Sequence, residues 1–362
     1  MNDETMVTAA GQSGSPRLLP IESACLLSPW PGTRLRRGVA MLCFLFMFLF
    51  LAISGSAHAA EDTSYPDKPI RLVVPYPAGG AADMVARPFA ILLAEKLGQP
   101  VVVDNKPGAS GNIGTVDVMR ARPDGYTLLF NPSAHVINPE VFDKAPYRAL
   151  EDFTAISQVA RSPLVLMVSP ALPVKSLLEF AQLARARPKE VSFATSVIGS
   201  ASHLAEELFN RIVKVDLLIV PYKGNAPALN DLMGGQVSAM FDPAVTAVPL
   251  AKAGRVKALA VTGKRRLRSA PEIPTTQEAG IEGLEFYTWY GLWAPKGLPE
   301  PIAGKLESAA RQIAADPKFV SSMDDKGLEA VGSGSDAFAS LIRTEAQLYR
   351  AIARQSSIHV TN

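Results

Sequence analysis

From Ile70 onward the chain alternates short apolar runs with longer amphipathic ones. Ile70-Arg71-Leu72-Val73-Val74 is rich in β-branched residues and stops at Pro75-Tyr76-Pro77-Ala78-Gly79-Gly80. A helical spacing of apolar positions follows through Met84, Val85, Ile91, Leu92 and Leu97, so the pattern predicts strand, tight loop and helix. Pro88 falls inside that helix and predicts a kink, because it removes one backbone hydrogen bond. A strand is predicted at Pro100–Asp104, a loop at Lys106–Gly111, a helix at Asn112–Arg120 and a strand at Tyr126–Phe130, with a further loop at Asn131–His135. Ile156–Val168 is apolar and interrupted only by Arg161-Ser162-Pro163. It reads as two extended pieces forming a first crossing between domains.

The theme then repeats. A helix is predicted from Ser176 to Arg187, with Ser176 as its cap and Pro188 just past its end. Strands at Val191–Ala194, Leu217–Val220, Val237–Phe241 and Val256–Val261 are interleaved with helices at Ala201–Val213, from Ala226 to Met233, and from Pro243 to Lys252. Phe286–Ala294 is dense in aromatics and reads either as a return crossing or as a core strand, and helices are predicted over Pro299–Ala314 and Asp336–Arg354. Strand–helix alternation of this kind means a mostly parallel sheet covered on both faces, and ligands of such sheets sit beyond the carboxyl ends of the strands. The turn at Gly79-Gly80 gains meaning there. The first amides of a helix lack intrahelical acceptors and carry partial positive charge, and glycines let a ligand approach them closely. A carboxylate or phosphate can be seated this way without a charged side chain. A plain strand-to-helix connection is the alternative.

The N-terminal part has a different character. Arg34, Arg36 and Arg37 precede an apolar run from Val39 to Ile53, then Ser54-Gly55-Ser56-Ala57-His58-Ala59-Ala60. This is the pattern of a signal peptide over residues 1–59, cleaved after Ala59, with a run shorter than the ~20 residues of a membrane span. Cys25 and Cys43, the only cysteines, fall in the removed part, leaving a mature chain without thiols. Lys and Arg number 36 against 34 Asp and Glu, a balance that gives no nucleic-acid surface. His135, His203 and His359 show no metal-ligand spacing. No cofactor loop is present either, since Gly-x-Gly-x-x-Gly and Gly-x-x-x-x-Gly-Lys are absent.

Individual polar residues leave alternatives open. Ser200 and His203 are three apart, but without a Gly-x-Ser-x-Gly elbow or an orienting acid they are no catalytic triad, and no enzyme is expected. Ser200 is read as opening its helix and offering its hydroxyl and amide to a ligand. His203 is either packed in the core or supports that contact. Asp242 caps the following helix or selects an amino or hydroxyl group of a ligand. Lys223 neutralises a second carboxylate or is a solvated lysine, Tyr76 walls a cleft or packs beneath its loop, and Asp83 complements its own helix dipole.

Several stretches in order carry a resemblance. They are Tyr65-Pro66-Asp67-Lys68-Pro69-Ile70, the Pro-Ala-Gly-Gly loop through Asp83, Asn105–Ala109 with Gly111–Gly114, Pro123–Leu128 and Asn138-Pro139. Further along stand Val220–Gly224, Gly234–Val237, Leu259–Thr262, Pro274-Thr275 and Glu278–Gly280. With these the chain resembles the substrate-binding proteins of tripartite tricarboxylate transporters, the Bug or TctC-like family. The resemblance implies an α/β, two-lobed, type II-like flytrap with parallel and mixed sheets and a hinge of two crossing strands. Lobe 1 is expected from 62–161 plus 289–362 and lobe 2 from 162–288. The implied function is capture of a small carboxylated solute in the periplasm and delivery to a membrane permease that the protein touches transiently, as a monomer. A periplasmic sensor signalling to a membrane receptor is the alternative. The family's pattern places the ligand on Pro77, Ala78, Gly79 and Gly80, on Ser133, Ala134 and His135, and on Thr195, Ser196, Gly199, Ser200 and His203. Tyr76, Tyr222, Lys223 and Asp242 complete the candidate set. Ala82 stands where the family commonly has Thr, Val197 where Gly is common, and Asn131-Pro132-Ser133 replaces a Gly/Thr-rich segment, departures that bear on the ligand rather than the fold.

Overall fold

The computed structural model describes residues 65–356 and 358, all within the compact unit Ser64–Asn362. The proposed signal peptide and its cleavage site lie outside the described residues. Three parallel strands come first: β1 (Ile70–Val74) lies between β2 (Val101–Asn105) and β3 (Thr127–Pro132), with Leu72 opposite both Val103 and Leu128. The helices α1 (Ala81–Leu97) and α2 (Asn112–Met119) make the crossovers. The second group holds β5 (Ser192–Thr195), parallel to both β6 (Leu218–Pro221) and β7 (Ala239–Pro243). Its crossover helices are α5 (Ala201–Val213) and α6 (Asn225–Met233).

Two antiparallel strands join the groups. The 16-residue β4 (Phe153–Val168) pairs with β9 (Tyr287–Pro295) from Phe153 opposite Pro295 to Pro163 opposite Tyr287. Beyond Pro163 it changes partners, and Leu164–Val168 lie against β7 on one side and β8 (Lys257–Val261) on the other. Strand β9 in turn pairs with β3, Leu129 opposite Trp293, so the order runs β2-β1-β3-β9-β4-β7-β5-β6. The interruption predicted at Arg161-Ser162-Pro163 is therefore no break. Proline cannot donate to a ladder, and here it occupies the place where one partner ends and the next begins. The aromatic stretch is the return strand, and it is at the same time core, with Trp289, Tyr290 and Trp293 all buried.

Aromatic side chains fill both groups. Phe89 packs on Phe130 at 5.7 Å and Phe319 at 6.3 Å, while Phe193 contacts Phe180, Phe209 and Phe241 at 5.4–5.8 Å. Each fully buried ring contributes about 1.5–3 kcal/mol. The C-terminal part wraps back over the first group through α8 (Glu300–Ala314) and α9 (Pro317–Asp325), the latter not predicted, while α10 (Ser335–Gln355) packs on both the first group and α5 of the second. Two further local differences matter. Helix α1 continues through Pro88, and Asn131–His135 is not a loop. Strand β3 extends to Pro132, and α3 (Ala134–Val141) begins two residues later despite Pro139 inside it.

Candidate functional site

The first wall grows from the loop between β1 and α1. Gly80 is the cap residue and has no side chain to offer, so the loop needs another anchor. Asp83, in the first turn and buried, reaches back and accepts from the Gly79 amide at 2.9 Å. It also accepts from Arg87 Nε at 2.7 Å and Asn105 Nδ2 at 2.9 Å, and the same Asn105 amide donates to the Tyr76 carbonyl at 3.1 Å. Burial alone would raise the Asp83 carboxyl, but the bonds from Arg87, Gly79 and Asn105 outweigh it and hold the group below its ordinary range. Asp83 does more than answer the helix dipole: it staples the loop. The Gly79 N–H is thereby occupied. The helix-start amides of Ala81, Ala82 and Asp83 are the ones without intrahelical acceptors.

Beside this loop the backbone makes a left-handed turn. Ala109, Ser110 and Gly111 have φ of 46°, 55° and 89° in succession, a conformation costing about 1 kcal/mol or more at a non-glycine residue. The turn aims the Ser110 carbonyl inward, where it accepts from Asn138 Nδ2 at 2.9 Å and from the Tyr76 hydroxyl at 3.4 Å. Asn138 Nδ2 also donates to Asn112 Oδ1 at 2.9 Å, while its own Oδ1 is buried without a donor. A β-carbon on Gly111 would come within 2.9 Å of the Tyr76 hydroxyl, so glycine is required for the ring to lie there. Tyr76 thus packs beneath the turn, one of the two roles expected for it.

The second wall is the segment between β5 and α5. Ser200 caps α5, accepting from the His203 amide at 3.2 Å, and the His203 ring folds back so that Nδ1 accepts from the Gly199 amide at 3.2 Å. That bond fixes the remaining ring proton on Nε2, 3.9 Å from Glu207. Burial pulls the His203 pKa down to about 4, so the ring is neutral at pH 7. Ser200 and the His203 ring are not bonded to each other. Gly199, at φ 78°, lies directly against the first group, where a β-carbon would stand 2.7 Å from Val141 Cγ2 and 3.6 Å from Asn138 Oδ1. The two walls therefore meet at Gly199 and α3.

The floor between the walls is acidic and buried. Asp242 ends β7 opposite Val165, and α7 (Ala244–Lys252) starts just beyond it. Its Oδ2 accepts from the Thr246 hydroxyl and, at 3.3 Å, from Asn225 Nδ2. Desolvation pushes the carboxyl up to about 7 against these two bonds. Glu206 on α5 is fully buried next to it; burial raises its pKa well above the ordinary carboxyl range, against the lowering effect of the Phe241 amide and the Thr195 hydroxyl. Tyr290 of β9 is buried, stacked on Phe130 at 6.2 Å; burial raises its hydroxyl pKa, and Asp242 and Tyr76 raise it further.

The other candidates fall in different places. Pro77, Ala78 and Gly79 are exposed, and Gly80 and Ser196 are half-buried. Thr195 is fully buried at the end of β5, its hydroxyl turned to the Glu206 carboxyl rather than to a ligand. Tyr222 donates its hydroxyl to Asp231 at 2.6 Å, within its own helix neighbourhood, and Lys223 is exposed. Ser133, Ala134 and His135 do not form a cleft loop. Ser133 is sealed against Thr288 at 3.2 Å, Ala134 is buried in the first turn of α3, and His135 is a core residue. The His135 ring lies 4.3 Å from Trp293, 4.7 Å from Phe153 and 4.9 Å from Tyr147, and burial lowers its pKa to about 3. Asn138, Tyr147, Glu206, Asn225 and Tyr290 were not foreseen. One signal was available: Ser202, Glu206 and Asn210 recur every four residues, a polar stripe on an otherwise apolar helix face, and all three are buried.

Comparison with known proteins places this arrangement. The solved structure of the periplasmic binding protein BugD superposes with a TM-score of 0.75 at 35% identity, over 82% of this chain and 100% of that one. The Rhodopseudomonas palustris protein Rpa4515 with adipate gives 0.78 at 34% identity, over 82% and 100%. MatC from the same organism with bound malate gives 0.73 at 34%, over 80% and 99%. Residues 85–358 match the family described as "Tripartite tricarboxylate transporter family receptor". The chain belongs to this TctC family of periplasmic solute-binding proteins, and its fold is their two-lobed α/β one.

Proposed function

We propose that this protein captures a small carboxylated solute between the walls and delivers it to a tripartite tricarboxylate-type permease. The observation that carries the reading is the approach of the Ser200-capped segment to the first group: Gly199 lies against Val141 and Asn138, and Asn138 shares the Ser110 carbonyl with Tyr76 of the Asp83-stapled loop. The segment and the loop each offer amides that a carboxylate can accept. Relatives holding adipate and malate support the same class of ligand. Pro77–Gly80, Ser196, Gly199 and Ser200 are the proposed contacts, with Tyr76 and Tyr290 as side walls.

The proposed lobes are 62–161 plus 289–362 and 162–288, supported by the change of β4 partners at Pro163. Lobe closure around β4 and β9 is proposed as the signal that the permease reads; only a ligand with more contacts in the closed state can drive it. Export with cleavage after Ala59 and action as a monomer complete the proposal. Among the described residues no helix is long and apolar enough to cross a membrane. A thermal-shift screen of mono-, di- and tricarboxylates, aromatic acids and amino acids tests the reading. A true ligand at ~100 times its Kd adds about 2.7 kcal/mol of stability. A raised Tm with one class of acid is expected, and an unchanged Tm across the panel would overturn the reading.

A further inference from the structure

The floor of the cleft presents acceptors with nothing to accept from. Asp242 is 1% exposed, and both of its donors, Thr246 and Asn225, bond to Oδ2, which leaves Oδ1 bare. The amide of Asn225 must turn its Nδ2 toward that carboxylate, so its Oδ1 faces away and is itself buried without a partner. Glu206 adds a second acidic group beside them, and no Lys or Arg among the described residues lies within ion-pair distance of either carboxyl. Natural proteins satisfy buried acceptors of this kind, and a buried carboxylate with no cation is the costliest case. The place is not remote from the second wall, because β5 and β7 run parallel with Phe193 opposite Ala239, and Gly224, next to Asn225, donates its amide to the Ser196 carbonyl at 2.8 Å.

We propose that Asp242 Oδ1 and Asn225 Oδ1 form a subsite for the ammonium of the ligand, so that the captured solute is an amino carboxylate. Its carboxylate sits on the helix-start amides, and its ammonium supplies the donors and the positive charge that the floor lacks. This rests on the cleft being a carboxylate site. Within it, the buried acid sets a direction of choice. A ligand with a methylene in place of the ammonium leaves both oxygens unpaired, and one with a second carboxylate there meets the Asp242 carboxylate with like charge.

The test uses matched pairs that differ only in the amino group: alanine and propionate, aspartate and succinate, glutamate and glutarate, phenylalanine and 3-phenylpropionate. Titration calorimetry of the purified protein is expected to show one amino acid binding about tenfold to a hundredfold tighter than its desamino partner. Asp242→Asn is expected to abolish that ratio while keeping the desamino acid's affinity, and Asn225→Leu to reduce it. Circular dichroism of both variants without ligand checks that they fold, and Asn225→Asp, which adds charge without changing shape, should widen the ratio. Desamino acids that bind as well as their partners, with a ratio indifferent to Asp242→Asn, would overturn the subsite and leave the carboxylate reading standing. Silence from all eight compounds and from the wider acid panel would overturn both.

Discussion

At the scale of single residues, burial decides more than identity does. Asp242 and His203 both titrate far from their ordinary values because water has been removed from them, the acid going up to about 7 and the histidine down to about 4. The sign for Asp242 follows from linkage. Below about pH 4 it is protonated in both folded and unfolded chains; between about 4 and 7 only the folded chain keeps the proton, so stability falls as pH rises through that window. Asp242→Asn removes this term. The ligand-free variant is expected to gain on the wild type from pH 4 to pH 7, by up to about 4 kcal/mol, and to gain no more above pH 7, as followed by urea unfolding. The neutral histidines His203 and His135 lose stability in the opposite direction, as pH falls below about 6.5, and they cancel in the comparison because both proteins carry them. The sequence made Asp242 visible as a strand-end acid beside Pro243, with capping of the next helix and ligand selection as its alternatives. It could not show that both donors would crowd onto one oxygen. His135 misled for a related reason: a histidine after Asn-Pro-Ser resembles a loop residue, and only the distant Phe153 and Trp293 make it core.

Elements were legible where a periodic pattern carried them, and caps where a side chain announced them. Ser176 and Ser200 both cap as expected, each accepting an amide three residues on. Helix α3 stayed hidden because Pro139 and Asn131-Pro132-Ser133 are turn chemistry, overridden by burial of Val136, Ile137 and Val141. The loop before α1 is the more instructive case. Its Pro-Ala-Gly-Gly sequence reads as a flexible seat, yet Asp83 ties it to Arg87 and Asn105, so the seat is built before a ligand arrives. Asp83→Ala leaves the Gly79 amide and Asn105 Nδ2 without their acceptor. A loss of about 1–3 kcal/mol in denaturant unfolding is expected, along with weaker carboxylate binding by calorimetry. An Asp83→Ala protein with unchanged ligand affinity would mean the staple serves the helix alone.

For the molecule as a whole, β4 belongs to both groups, pairing with β9 along its first part and with β7 and β8 beyond Pro163. Gly199 is the contact that limits approach, since any side chain there collides with Val141 and also sits at a left-handed φ. Gly199→Val is expected to hold the walls apart, with ligand affinity about tenfold or more lower and a larger radius of gyration in X-ray scattering with ligand present. The two-group architecture was readable from strand–helix alternation. The continuity of β4 was not, because a proline inside an apolar run looks like an end. That continuity, with β9 returning so late, also bears on how the chain reaches its native state. Strand β3 lacks its neighbour until Trp293 has been made, although Leu129, its partner, lies near the start of the described fold. Closing so long a loop is slow, and until then the edge of β3 is bare. The first group therefore cannot complete its sheet before Trp293 has been made, so its last strand is supplied only after the whole second group.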